Sequence, residues 1–346
     1  MKPPNEKQAV ETVRELIAEL FDGPRIQIRH VGERERFDYK LSVGDHRFFA
    51  EYKTNASTAS VSTAIDGLKK IEGVDGIPLL VVPYMGDVGQ RICDEATVSW
   101  IDLSGNAKII APGIRIWIEG RPNRFVERGR PPNVFAPKSS RIARQLLLHP
   151  LSYQTQAGLA RQTELGDGYV SKIVRRLRKE DYIEQDEQGA VRPRDANLLL
   201  DAWHEVYDFS RHRIIKGHVA ARTGEELLNK LVGKLVQKKV THAVTGLSAA
   251  WLYNNFAAFR LASVYLSSMP PKKLLREIEF SEETRGANVW LILPDDDGVF
   301  HGCREQTKVR CVSPLQTYLD LKDHPERAKD AAGELRREQL KWGSDD

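Results

Sequence analysis

Cysteine is scarce in this 346-residue chain, which holds only Cys93, Cys303 and Cys311. Odd in number and far apart, they match neither a disulfide framework nor a zinc-ligand spacing, and reduced thiols are expected. The nine histidines include no helical metal-binding motif. No apolar run reaches the roughly 20 residues that span a bilayer. The opening MKPPNEKQAVETVREL is too charged for a signal peptide. These absences point to a soluble, cytoplasmic protein with no membrane partner. An excess of one charge sign is also missing: a formal net charge of +4 does not mark a nucleic-acid binder, so any positive field must be local. With 41% hydrophobic and 29% charged residues the composition is globular, and the length allows two or three domains.

That local positive charge is concentrated in Arg115 to Arg144, while the clearest pattern of elements lies in Gln154 to Arg194. The spacing predicts a short helix over Thr155 to Gln162, a glycine-assisted turn at Leu165-Gly166-Asp167-Gly168, and a second helix from about Tyr169 to Glu180. Val170, Ile173, Val174 and Leu177 share one face of that second helix. Tyr169, Ser171, Lys172, Arg175, Arg176, Arg178 and Lys179 lie off it. Tyr182 to Glu184 and Ala190 to Arg192 flank a turn at Asp186 to Gly189, predicting a hairpin. Helix, turn, basic helix and hairpin in this order make a winged helix-turn-helix, whose second helix would read the major groove of double-stranded DNA. Arg192 and Arg194 in the wing would add DNA contacts. A basic solvated helix in a protein-binding module has the same local pattern.

Ahead of this lies an α/β region, residues 1–120. Residues 7–20 pattern as an amphipathic helix closed by Gly23-Pro24. Strands are expected at Arg25 to His30, Arg36 to Val43 and His46 to Lys53, the last two joined at Gly44-Asp45. A helix from about Ala59 to Ile71, a strand over Pro78 to Pro83, a helix around Val88 to Ala96 and a strand over Val98 to Leu103 complete it. Asp102 in Asp-Leu-Ser-Gly-Asn reads as turn chemistry. The order of elements resembles the restriction-endonuclease-like fold, and the resemblance reaches Asp38 and Glu51-Tyr52-Lys53. It implies catalytic Asp38, Glu51 and Lys53, with Asp38 and Glu51 holding magnesium and Glu15 as a third acid. Glu51 and Lys53 fall on one strand face because the side-chain period is two. Phe37 stands where that family often has proline, and alternating charges among Phe37, Tyr39, Leu41, Phe49 and Tyr52 also fit any half-exposed strand.

Residues 121–138 form a basic, proline-containing linker within a stretch, Arg115 to Arg144, rich in arginine. It would either contact DNA phosphates or be solvated, and it leads into a helix over Ser139 to Leu148. Residues 139–196 are the winged helix, and 197–346 pattern as an α+β domain. Strands are expected there at Ala262 to Ser267, Leu275 to Phe280, Ala287 to Pro294 and Val309 to Cys311, with a terminal helix over Glu326 to Trp342. Asp295-Asp296-Asp297 reads as a hairpin turn. Val244-Thr245-Gly246-Leu247-Ser248-Ala249-Ala250 and Val312 to Leu321 resemble the AbiEi-like type IV antitoxin family, whose last domain is similar to nucleotidyltransferases. The strand Leu261 to Ser267 carries none of the acids that nucleotide transfer requires. The resemblance implies an α+β multidomain chain acting as a DNA-binding transcriptional regulator in a toxin–antitoxin system, with a cognate toxin and a homodimer as partners. The alternative is a magnesium-dependent DNA nuclease using Asp38, Glu51 and Lys53.

Overall fold

A computed structural model describes residues 4–20, 26–30, 37–71, 75–125, 133–256, 258–283 and 285–342. Among these the strands form two seven-stranded mixed sheets and one two-stranded pair, so the chain is of mixed α+β class. It divides into two compact units, Met1–Asn133 with Arg175–Glu184, and Val134–Val174 with Gln185–Asp346. Among the described residues no helix is long and apolar enough to cross a membrane.

The first unit begins with α1 (Glu6–Leu20), which buries Ala9, Val13 and Ile17 at four-residue spacing. The sheet follows chain order: β1 (Ile26–His30), β2 (Tyr39–Val43), β3 (His46–Tyr52), then α2 (Thr58–Lys69), β4 (Ile77–Val82), α3 (Asp87–Ala96), β5 (Ser99–Asp102), β6 (Ala107–Ala111) and β7 (Ile114–Ile118). Strands β2 and β3 close through Gly44-Asp45, with Gly44 at φ +57° and Val43 opposite His46. The steps from β3 to β4 and from β4 to β5 are parallel and need crossovers, which α2 and α3 supply. One sheet face, with Tyr39, Leu41, Ala50 and Tyr52, packs on α1. The other, with Phe49, Leu80, Val82 and Trp100, packs on Val61, Ala64, Ile65 and Leu68 of α2. Each fully buried aliphatic side chain contributes roughly 1.5–3 kcal/mol, which fixes the strand register.

Asp102 is buried at the end of β5 and is saturated. Its carboxylate accepts from Ser104 N (2.9 Å), Asn106 N (2.8 Å), Met85 N (3.1 Å) and Asn106 Nδ2 (2.8 Å). Asn106 in turn holds the backbone of Arg121, and the Ser104 hydroxyl accepts from Arg124 N. Burial pushes the Asp102 carboxyl above its ordinary range, against the pull of those N–H donors. The turn chemistry expected for this stretch is what the structure contains.

Within the second unit and the short segment grouped with the first, α4 (Ser140–Leu148), α5 (Gln156–Thr163) and α6 (Asp167–Lys179) precede the hairpin β8 (Ile183–Gln185) and β9 (Val191–Pro193). Next come α7 (Ala196–Val206), β10 (Arg213–His218), α8 (Gly224–Gln237), β11 (His242–Thr245), α9 (Gly246–Asn254), β12 (Ala262–Leu266), α10 (Lys272–Glu277), β13 (Ser281–Glu282), β14 (Val289–Leu293), β15 (Arg304–Gln306), β16 (Val309–Cys311), α11 (Pro314–Asp320) and α12 (Ala328–Gln339). The sheet order is β13-β10-β14-β12-β11-β16-β15.

Several expectations need correction. Leu275 to Phe280 is not a strand: the straight-chain Lys272, Lys273, Leu274, Leu275, Arg276 and Glu277 follow Pro271 and form helix α10. Ile114–Ile118, hidden at the edge of the arginine-rich stretch, is strand β7 paired along β6. Asp296 does not turn a hairpin; its carboxylate caps a 3-10 turn, Asp297–Phe300, by accepting from Gly298 N at 2.7 Å. Gly23-Pro24, Arg128, Arg130, Pro131 and Pro132 lie outside the described residues.

Candidate functional site

Helix α6 has two chemically distinct sides. Val170, Ile173, Val174 and Leu177 are buried, as are Leu159 and Ala160 of α5 and Ile142 and Leu146 of α4. On the opposite side, Lys172, Arg175 and Lys179 recur at spacings of three and four and are exposed. Gly168 and Tyr169 extend that exposed side toward the helix start, and the Tyr169 hydroxyl shares a 2.7 Å hydrogen bond with Ser139 Oγ. Lys138 lies 5.9 Å from the Tyr169 ring. Ser171 is half-buried, Arg178 is exposed, and Arg176 pairs with Glu180 one turn on, which commits its guanidinium within the helix.

The turn into α6 works differently from the expectation. Glu164, not a glycine, takes the left-handed conformation at φ +56°, and its N–H closes α5 onto Ala160 O. Thr155 caps α5 through Gly158 N (3.1 Å). Beyond α6, the Asp186 carboxylate holds the hairpin by accepting from Gln188 N (3.0 Å) and Ala190 N (2.8 Å), and Gly189 supplies φ +85°. Gln154 pairs with Val191 through two 2.9 Å backbone bonds, tying the start of α5 to the hairpin. Arg192 lies 4.6 Å from the exposed Tyr153 ring, and Arg194 is exposed just past β9.

Two arginines counted with the basic connection turn inward. Arg141 forms a two-pronged pair with Asp296 (2.7 and 3.0 Å) and donates to Thr163 O (3.1 Å). Arg144 is buried under Trp203, 5.0 Å from its ring. Neither is placed to meet solvent-borne DNA. Sequence alone signals this only weakly, through Ile142, Ala143, Leu146 and Leu147 interleaved with them.

In the first unit, Asp38 lies one residue ahead of β2. Continuing the Tyr39–Ala50 register by one step sets Asp38 beside Glu51. Asp38 N donates to Ala50 O (3.0 Å), and Asp38 Oδ2 accepts from Tyr52 N (2.8 Å). Lys53 Nζ meets Glu51 Oε1 at 2.6 Å. Burial pushes the Glu51 carboxyl above its ordinary range, Lys53 pulls it back, and the Asp38 charge adds to the rise. Asp38, Glu51 and Lys53 are thus brought together. Glu15 is not: it is exposed on α1, which covers the opposite sheet face, while Glu51 Oε2 lies against Gly67 of α2. Among the described residues no three acidic, histidine or cysteine side chains gather as a metal cage. Two carboxylates with water completing the shell still suit a hard cation such as magnesium, which takes few protein ligands.

Comparison of the chain with protein-family models, curated proteins and solved structures yields no match.

Proposed function

We propose that the chain is a sequence-specific DNA-binding transcriptional regulator of the type IV antitoxin kind. In this reading α4, α5, α6 and the β8–β9 hairpin are a winged helix-turn-helix. The first unit is restriction-endonuclease-like, and the C-terminal part is an AbiEi-like domain of nucleotidyltransferase type. The observation that carries the reading is the Lys172, Arg175 and Lys179 stripe opposite the buried face of α6. A helix anchored on one side and cationic on the other can enter a major groove, while phosphate neutralisation supplies affinity. Tyr169, Ser171 and Arg178 flank the stripe, and Arg192 and Arg194 extend it from the wing. A cognate toxin is the further partner, and a homodimer would engage paired half-sites.

The test is fluorescence anisotropy of the full chain on DNA upstream of its own gene. Lys172→Ala with Arg175→Ala is expected to weaken binding roughly tenfold or more and to lower the salt slope by about two, one per lost phosphate contact. Arg176→Ala is expected to change little, because Arg176 is already paired with Glu180. Unchanged affinity of the double variant refutes the reading.

A second reading, a magnesium-dependent DNA nuclease targeted by the same helix, is favoured by the grouping of Asp38, Glu51 and Lys53. Asp38 and Glu51 would hold the metal, which would supply Lewis acidity, and Lys53 would orient water or meet developing charge. Magnesium or manganese should then support nicking of plasmid DNA that Lys53→Ala abolishes. Absence of cleavage across varied substrates removes this reading.

A further inference from the structure

Strand β7 ends one edge of the first unit's seven-stranded sheet, and its outer side has no strand beside it among the described residues. The direction of its backbone groups follows from β6. Asp102 N donates to Asn106 O and Ile110 N donates to Ser99 Oγ, so alternate residues from Asn106 to Ile110 turn their backbone polar groups toward β5. Ala107, Ile109 and Ala111 therefore turn theirs toward Ile118, Ile116 and Ile114 of β7. That leaves the N–H and C=O of Arg115 and Trp117 facing outward, with no partner among the described residues. An edge of this kind is a template for a further strand.

The side chains of β7 fit a second copy of themselves. Ile116 packs on the α1 side of the sheet, Ile114 and Ile118 share its face, and all three are only half-buried. On the other face Arg115 is exposed and Trp117 is 64% exposed. In an antiparallel pair centred on Ile116, Ile114 meets Ile118 of the second copy and Ile116 meets its own counterpart, so isoleucine covers isoleucine. Arg115 of each copy then falls opposite Trp117 of the other, in a pair that exchanges both N–H···O=C bonds. Lys108 already lies 4.6 Å from the Trp117 ring and is itself paired with Asp94 at 2.6 Å. An arginine beside the same ring is a favourable cation–π neighbour, and no like charges stand directly opposite one another. A Cβ at Gly113 or at Gly120 would meet nothing within 4 Å among the described residues, so the positions flanking β7 are open at both ends.

We propose that β7 is a homodimer interface, at which two copies of the chain join their sheets antiparallel about a two-fold axis through Ile116. The homodimer belongs to the reading above, but this surface uses no residue of α6 and forms without DNA, so either can fail alone.

Sedimentation velocity of the full chain without DNA, over about 1–100 μM, tests it. A monomer–dimer equilibrium is expected. Trp117→Arg sets arginine against arginine and should raise the dimer Kd tenfold or more. Adding Arg115→Glu to that variant sets glutamate against arginine and should restore association. Lys172→Ala with Arg175→Ala should associate as the parent chain does. Ile116→Cys gives a second measurement: a pair on the axis has its Cα atoms about 4.5 Å apart, within disulfide reach. Diamide, which takes up the two electrons and two protons released, should convert this variant to a reducible covalent dimer and leave the parent chain uncrosslinked. A chain monomeric throughout the range, association unchanged by Trp117→Arg or not restored by the double variant, or Ile116→Cys that does not crosslink overturns the proposal.

Discussion

His324 offers a quantitative test of the C-terminal core. It is 6% exposed, with Nδ1 3.3 Å from Pro325 O and Nε2 3.0 Å from Ser263 Oγ. A carbonyl oxygen accepts only, so Nδ1 carries the proton and Nε2 accepts from the serine hydroxyl. Burial pushes the imidazole down from 6.5 to about 4. The native state thus stays neutral while the unfolded chain takes up a proton. The stabilising contribution is present above pH 6.5 and is lost as pH falls through the folded value. Linkage puts the loss, relative to neutral pH, at about 1 kcal/mol near pH 5.5 and about 2.5 kcal/mol near pH 4.5. His324→Gln keeps an acceptor for Ser263 and does not titrate. Urea unfolding followed by tryptophan fluorescence suits the measurement, because the Trp290 ring lies 5.1 Å from His324. The expected result is a stability gap between parent and variant that shrinks by those amounts on acidification, whatever the packing cost of glutamine at neutral pH. A gap constant from about pH 7 to about pH 4.5 refutes the assigned burial and tautomer.

Other substitutions probe other parts of the fold. Gly246 has φ +61°, and a Cβ there would sit 2.6 Å from His324 Nε2, so Gly246→Ala should cost about 2–4 kcal/mol in denaturant titration. Asp102→Ala strands the N–H groups of Met85, Ser104 and Asn106, and a loss of roughly 3–6 kcal/mol is expected from the first unit, read as earlier amide exchange around residues 83–85 and 102–106. His204, pushed down to about 4 mainly by burial and then by Lys322, should likewise favour the native state above its ordinary value and lose that contribution as pH falls. Its imidazole resonances should show a midpoint well below 6.5, and an ordinary midpoint would contradict its placement against Tyr318.

What can be read from residues alone depends on period. The spacing of Val170, Ile173, Val174 and Leu177 places α6 to within two residues at its start and one at its end, because a helix that buries one stripe must repeat near 3.6. Likewise the two-residue period of β3, with the tight Gly44-Asp45 turn, sets Glu51 and Lys53 on one face and brings Asp38 beside them. Where charge dominates, the same method fails. Arg141 and Arg144 look like members of a basic arm until partners 155 residues away in sequence, or an indole, claim them. Arginine spacing cannot distinguish a guanidinium facing water from one facing Asp296. Ile114–Ile118 escapes notice for the same reason, its alternation masked by neighbouring arginines. In the turn between α5 and α6, the left-handed position falls on Glu164 although Gly166 lies two residues on, since the N–H of Glu164 finds Ala160 O there.

The two C-terminal stretches singled out by resemblance, Val244 to Ala250 and Val312 to Leu321, meet at one buried point. Thr245 from the first and Gln316 and Asp320 from the second are fully buried, and Tyr207 and Tyr265 complete the ring of donors around Asp320. Burial pushes the Asp320 carboxyl up, and the same burial pushes both tyrosine hydroxyls up, so each stays a donor toward it. A carboxylate with four donors on its two oxygens has little capacity left for a metal or a substrate proton. Its chemistry is therefore positional: it fixes how α11 packs against β11, β12 and the end of α7, where a wholly apolar contact would tolerate sliding. Side chains in the same network shape the adjoining space, because Gln316 must turn its amide nitrogen to Asp320 and so turns its oxygen away.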